Sequence, residues 1–358
     1  MTAEFSPSPQ PSPARRGSRK AIVSWIDDLL PLRCLAFSLS ERERVGVREN
    51  ASRNGASSFV PTILSKQGFL LVLLLTVLIS FQSHATDLIL CGAKAITIID
   101  PKKPKQVKWS WTAKDSPSIP PDLRWTFRST DECKPYEGGL ILVTSSSQGV
   151  ALIERKTKRT QFLALSKNAH SACLLPRNQI AVAASFSGDE VQFFSRISKA
   201  MPAKPKQRIE LYGAHGSVWD SARNCLWALG QDEILKLKQD TNPRGNFAWS
   251  VEARHQLPKP GGHDLSPLHD GVHLYATASF QVFLFNRDKG QFRVHPKIGA
   301  EAKVKSVDRH PKTGLVVYHK GTLKTWWSDM IRFIDAEPIR MEGHRLYKVR
   351  WDIPIKQP

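Results

Sequence analysis

The sequence lacks the short motifs that announce a chemistry. It has no glycine-rich phosphate loop, no Cys-x-x-Cys, no His-Glu-x-x-His and no Gly-x-Ser-x-Gly. Their absence removes the simplest nucleotide, dithiol, zinc-protease and serine-hydrolase readings. Cysteine is scarce, five in 358 residues, which excludes a disulfide-dense miniprotein. Only one long apolar run occurs, which excludes a multi-spanning membrane protein. Acidic residues are also in deficit, 32 Asp+Glu against 52 Lys+Arg, a net charge of +20. With 41% hydrophobic and 9% aromatic residues the chain is neither wholly disordered nor collagen-like.

The apolar run, 68–81, reads GFLLVLLLTVLISF and follows Lys66. At 1.5 Å per residue it covers ~21 Å as a helix, short of a ~30 Å hydrocarbon core. A short apolar core, a positive flank and the ending Ser83-His84-Ala85 describe a secretory signal peptide over 66–85. The alternative is an uncleaved N-terminal anchor. Either places the rest of the chain in the periplasm or outside the cell, touching a membrane only through this segment.

Residues 1–65 carry no core-forming pattern. The stretch 5–19 reads FSPSPQPSPARRGSR and 38–50 reads SLSERERVGVREN, resembling a translated bacterial intergenic repeat. They read as a start placed too early, or else as a disordered segment. No Met lies between Met1 and Met201, so a later start would be a non-AUG codon between about Val60 and Leu64. The leading 85 residues hold ten Lys+Arg and six Asp+Glu, which leaves 42 against 26 beyond them, a charge of +16. Cys91, Cys133, Cys173 and Cys225 remain. They permit three disulfide pairings, and buried free thiols are equally compatible.

Over 86–358 the pattern is of strands, without a stretch of helical period. Apolar strands begin at 140, 180, 226, 274 and 315, each followed by a polar turn and a second strand. The spacing averages about 44 residues, which points to an all-β propeller. A length of 273 residues at that spacing gives six blades, with seven as the alternative. The hairpin formed by 88–91 and 95–99 and the alternating strand 345–351 are expected to share one blade and close the ring. A β-sandwich is the competing architecture. The echo of 101–106 (PKKPKQ) in 202–207 (PAKPKQ) is expected to mark one outer turn in two blades, its lysines solvated.

The turns before the marked strands hold Arg128, Asp131 and Glu132; His170; His215; His263 and Asp264; and Lys305. The three histidines recur at spacings of 45 and 48, close to the blade repeat, so they are expected to converge on the axis. Three readings follow. The histidines hold blades together structurally, as the Gly-His pair of WD repeats does. Or they bind a sugar or anion together with Arg128 and Lys305. Or His170, His215 and His263 hold a divalent metal, with Asp264 or Glu132 completing the set; propeller lyases that cleave acidic sugars are similar in using a His-rich axial metal. Trp109 and Trp111 read as core between blades. Trp219 reads as core and Asp220 as a turn or channel residue, while Trp326 and Trp327 suit either sugar stacking or packing. Export argues against nucleic acid as the basic chain's partner and favours a small molecule or acidic glycan, bound by a monomer.

The segments FRSTDECKP (127–135), GGLILVTSSSQGVALIER (138–155), GGHDLSP (261–267), VKSVDRHPKTGLVVY (304–318) and RLYKVRWDIP (345–354) resemble a family of bacterial exported propeller-like proteins, a domain of unknown function. The resemblance implies a propeller and export, and no activity. The expected function is therefore ligand binding at an axial channel, with a metal-dependent lyase or hydrolase of acidic sugars and a protein-interaction scaffold as alternatives. Mass measurement of the secreted chain is expected to find Thr86 as its first residue. A chain retaining 66–85 in the membrane would replace cleavage by the anchor.

Overall fold

A computed structural model of the chain describes residues 87–241 and 247–358. The readings made for 1–65 and 66–85 lie outside these residues.

Strands mostly of four to seven residues, rich in Val, Ile, Leu and Ala, recur between tight turns. Asn168, Asn178 and Asn224 supply the left-handed backbone at three of those turns. The first strands are β1 (Leu88–Gly92), β2 (Ala95–Ile99) and β3 (Val107–Trp111). Next come β4 (Thr130–Tyr136), β5 (Leu140–Ser145), β6 (Gly149–Glu154) and β7 (Thr160–Leu165). The third group is β8 (Ala169–Leu175), β9 (Gln179–Ala184), β10 (Glu190–Ser195) and β11 (Gln207–Glu210). The fourth is β12 (Gly216–Asp220), β13 (Cys225–Leu229), β14 (Glu233–Thr241) and β15 (Phe247–Gln256). The fifth is β16 (Asp264–Pro267), β17 (His273–Thr277), β18 (Val282–Asn286) and β19 (Gln291–Val294). The last strands are β20 (Val304–Arg309), β21 (Val316–Lys320), β22 (Met330–Phe333), β23 (Ile339–Arg340) and β24 (Lys348–Trp351).

These strands form six antiparallel sheets of four strands. Five are consecutive meanders, and the sixth runs β24-β1-β2-β3, so both chain ends share one blade. The architecture is a six-bladed β-propeller closed by its N- and C-terminal strands, as the repeat and the terminal hairpin implied. Leu88 pairs with Trp351 and Cys91 with Lys348 across the closure. The strands marked at 140, 180, 226, 274 and 315 correspond to the second of each blade, not the first. The first strands, β4, β8, β12, β16 and β20, line the axis. They begin at the residues taken from sequence for turns.

Burial falls from the axis outward. β4 and β8 are buried along their whole length, whereas β11 and β19 alternate or face solvent. Six hydrophobic clusters hold the ring, each between two successive blades. Trp111 lies fully buried between the first and second blades, edge-on to Phe127 at 5.5 Å. Trp109 is half-buried beside it. Trp219 packs edge-on to Trp249. Asp220 ends β12 and accepts bonds from Trp227, Arg223 and Arg287, which ties the fourth blade to the fifth. The four described cysteines are free and buried, so of the two thiol readings the unpaired one holds. The segments 101–106 and 202–207 both join a third strand to an outermost one, β2 to β3 and β10 to β11, with their lysines exposed.

Closure concentrates stability in a few residues. β24 buries Val349 and Trp351, each worth ~1.5–3 kcal/mol. Deleting 345–358 also bares the inner edge of β1. The deletion variant is expected to show no cooperative thermal transition by circular dichroism, since the loss rivals the ~5–15 kcal/mol that holds a domain. An unchanged melt would mean the other blades close without it.

Candidate functional site

The six axial strands start in the same way. In β4, β8 and β20 the register slips at Thr130/Glu132, Ala169/Ser171 and Val304/Ser306, which leaves Asp131, His170 and Lys305 as bulged residues. In the other three blades the residue before the first pair occupies the same place. His215 donates its backbone N–H to Leu229, His263 to Thr277 and Tyr347 to Cys91. A bulge turns two successive residues to one side. Each blade therefore offers the axis two consecutive residues, in an outer and an inner layer; in the fourth blade the inner one is Gly216, which has no side chain. The two glycines before His263 make room for this. A Cβ on Gly262 would lie 2.1 Å from the Gly230 carbonyl oxygen, and Gly261 holds φ at +95° against Ser279.

The outer layer is Tyr347, Asp131, His170, His215, His263 and Lys305, one from each blade. Asp131 Oδ1 lies 3.8 Å from His170 Nε2. The His170 and His215 rings are 4.3 Å apart, and His215 and His263 5.3 Å. His263 Nε2 lies 2.8 Å from Lys305 Nζ. Tyr347 completes the circle, 5.8 Å from the His170 ring and 6.0 Å from Lys305 Nζ.

Two histidines are anchored alike, each on the carbonyl two residues before it. Nδ1 of His170 lies 2.9 Å from the carbonyl of Asn168, and Nδ1 of His215 lies 2.7 Å from that of Gly213. A carbonyl only accepts, so both Nδ1 atoms carry the proton and both Nε2 atoms are left as acceptors. His263 has no such anchor; its Nδ1 is buried without a partner among the described residues. Burial lowers all three imidazoles, His170 to about 4, so they are uncharged at neutral pH. Burial raises the Asp131 carboxyl to about 7, against the bond it accepts from the Ser146 N–H.

The inner layer is an ion cluster. Lys348 Nζ donates to Asp264 at 3.0 Å and to Glu132 at 3.2 Å. Arg350 bonds both carboxylates, at 2.8 Å to Glu132 Oε2 and 2.9 Å to Asp264 Oδ2. Burial alone would raise the two carboxyls, but the Arg350 and Lys348 charges outweigh it and hold both below their usual range. Deeper still, Lys134 donates to Ser171 Oγ and to the Ala172 and Ser217 carbonyls.

Long turns on the same face surround the mouth. Trp125, Phe186, Tyr212, Phe280, Leu323 and Trp326 are exposed there. Trp326 reaches inward, 4.4 Å from Lys305 Nζ and 6.2 Å from the His263 ring. Trp327 instead stacks under Arg345 at 4.0 Å. The arrangement offers imidazole acceptors, a phenol, an amine and a carboxyl to a polar group, with aromatic faces around them.

Residues 78–356 match the family of unknown function DUF6528. The chain belongs to that family. No curated protein matches this DUF6528 chain. Among solved structures it is similar to the WD40 β-propeller domain of Doa1, at 11% identity, a TM-score of 0.47, and coverage of 66% of this chain and 73% of that one.

The DUF6528 propeller brings five of the eight residues singled out by sequence into one layer: Asp131, His170, His215, His263 and Lys305. Glu132 and Asp264 lie one layer deeper, engaged by Lys348 and Arg350. Arg128 stands apart, exposed over Trp125 at 5.7 Å with Nε 3.3 Å from Ser147 Oγ. For the divalent metal, no group of three or more His, Cys, Asp or Glu among the described residues is disposed to hold an ion. Lys305 stands beside His263, and the expected carboxylate ligands are neutralised by cations. Sequence reasoning missed Tyr347, Lys348, Arg350 and Lys134. The signal for Lys348 and Arg350 was the alternation of basic and apolar residues in β24, which puts both on one face of an axial strand.

Asp131 makes stability depend on pH with a definite sign. Its folded pKa lies above the unfolded value, so the folded chain binds the extra proton between about pH 4 and 7, and stability falls as pH rises through that window. His170 acts in the opposite sense from about 4 to its ordinary value, and it remains in an Asp131→Asn variant. That variant is expected to be more stable than the parent at pH 8, by ~2 kcal/mol, with the difference fading by pH 4. Thermal melts at pH 4, 6 and 8 test this, and parallel curves for the two proteins would overturn it.

Proposed function

We propose that this DUF6528 protein is an exported binding propeller whose axial mouth takes a small polar ligand, a carbohydrate or acidic glycan. The observation that carries the reading is the outer axial layer itself. Six blades deliver Tyr347, Asp131, three uncharged imidazoles and Lys305 to one place, and the described bonds do not use all of their polar atoms. A purely structural layer would be satisfied from within; here His263 Nδ1 is left without a partner among the described residues. Exposed aromatic rings around the mouth suit the apolar faces of a sugar. The charge of +16 beyond residue 85 suits an acidic partner outside the cell. Export rests on the segment 66–85.

The geometry favours binding without a metal over metal-dependent lysis, because Glu132 and Asp264 are held by Lys348 and Arg350 and the Lys305 amine stands against His263 Nε2. A scaffold that docks a protein on the aromatic loops is the second reading. Its support is the exposure of Phe186, Tyr212, Phe280, Leu323 and Trp326 on one face.

Titration calorimetry with neutral and uronate oligosaccharides separates the two. Trp326→Ala and His263→Ala are each expected to weaken uronate binding by about tenfold, ~1.4 kcal/mol. Binding that survives both changes unaltered would remove the axial mouth from consideration. No binding of any sugar would favour the scaffold.

A further inference from the structure

Lys305 is set apart from the other axial lysines by its surroundings. Lys348 lies between two carboxylates, and Lys134 donates to three oxygens. Lys305 is 1% exposed, and the one hydrogen bond its amine makes among the described residues is to His263 Nε2, at 2.8 Å. No carboxylate lies within ion-pair distance of it among those residues. An ammonium carries three donors and a charge, and this position answers one donor and gives no counter-ion. Burial first, then the nearby Lys303 and Lys348 charges, hold its pKa well below the ordinary lysine value. An uncharged amine keeps its lone pair and is a nucleophile.

Its neighbours fit that chemistry. His263 is uncharged and touches the amine through Nε2, in place to take a proton from nitrogen and return it. The cover over Lys305 includes a residue that is itself exposed. Trp326 lies 4.4 Å away on the turn between β21 and β22, a turn whose Leu323 and Trp326 are themselves exposed. The phenol of Tyr347 and the carboxyl of Asp131 complete a polar wall within the same layer.

We infer that Lys305 is a nucleophilic amine that forms an imine with the carbonyl carbon of a small aldehyde or ketone bound at the mouth. The inference rests on the binding reading above and names the reactive group of the ligand. The Nζ lone pair attacks the carbonyl carbon, a C–N bond forms, and the carbonyl π pair moves to oxygen. His263 Nε2 takes the proton from nitrogen and passes it to that oxygen, giving a carbinolamine. A second proton moved by the same route lets the hydroxyl leave as water while the nitrogen lone pair closes the C=N bond. One amine and one carbonyl become one imine and one water, with nothing oxidised or reduced. An acidic sugar in its open-chain form supplies an aldehyde, and a 2-oxo acid supplies a ketone.

The test is reductive trapping on the whole chain. Protein is incubated at pH 7 with D-galacturonate or, separately, pyruvate, in the presence of cyanoborohydride, and each lysine is followed by peptide mass mapping. The Lys305 peptide is expected to gain the reduced adduct about a hundredfold faster than exposed lysines, because those are almost wholly protonated at that pH. The rate is expected to saturate with carbonyl concentration, and the arm that reacts identifies the source. Lys305→Arg abolishes the saturable labelling, and His263→Gln slows it by about tenfold, the order set by a lost proton relay. Labelling of Lys305 no faster than the surface in either arm overturns the inference.

Calorimetry on the same protein with galacturonate separates the two levels. Binding without labelling overturns the imine and leaves the binding reading intact. Labelling by pyruvate without galacturonate binding supports the imine and overturns the sugar. Neither result overturns both. Should Lys305→Arg fail to fold, competitive acetylation of the unaltered chain across pH replaces it. Reactivity that follows the titration of an exposed lysine would then overturn the inference.

Discussion

Six blades meet at an axis whose strand faces are polar although buried, and the ion cluster of Lys348, Arg350, Glu132 and Asp264 ties them together. Two cations come from the C-terminal strand and two carboxylates from the second and fifth blades, so the cluster joins the closing blade both to its neighbour and, across the axis, to a blade it does not otherwise adjoin. Buried pairs of this kind contribute less net stability than their number implies, because each charge loses its hydration. Their stronger effect is on specificity. Leaving one partner alone would bury an uncompensated charge, so slipping β24 from its register against β1 carries a cost beyond lost packing. Closure, blade number and axial filling are thus the same constraint seen from different distances.

The cluster also separates two layers of different character. Below, the cations are fully bonded, Lys348 and Arg350 to carboxylates and Lys134 to neutral oxygens. Above, the bulged residues form a layer in which three imidazoles, a phenol, a carboxyl and an amine lie near one another with fewer bonds than they can make. Two of the histidines use Nδ1 on the local backbone and keep Nε2 for the axis. That combines the structural and the ligand-facing readings of the same residue. A histidine that braces its own turn with one nitrogen is well placed to present the other.

Much of the architecture was legible because strand periodicity and turn chemistry are local. The repeat of about 44 residues, the terminal hairpin and the matching turns at 101–106 and 202–207 all came from short-range pattern. The axial strands were misplaced as turns for a physical reason. Their sequences mix charged and polar residues, as in Thr130–Tyr136, because the face that meets the axis is polar although buried. Alternation misled in the same place: a bulge breaks it by one residue, so Asp131 and Glu132 both face inward. The convergence of His170, His215 and His263 was legible from their spacing. The fate of Glu132 and Asp264 was not, since it depends on cations some 80 to 220 positions away in the chain.

The amino-acid order alone pointed to the all-β repeat, to six or seven blades and to the pairing of the two ends, because these follow from periodicity, turn residues and length; the sheet pairing fixed the count at six. Tertiary structure decided which charges neutralise each other, which thiols stay free, and which lysine at the axis is left with a single bond and no counter-ion among the described residues. Those outcomes depend on distances between blades far apart in sequence and on the loss of water between them, and neither quantity is written in any local pattern.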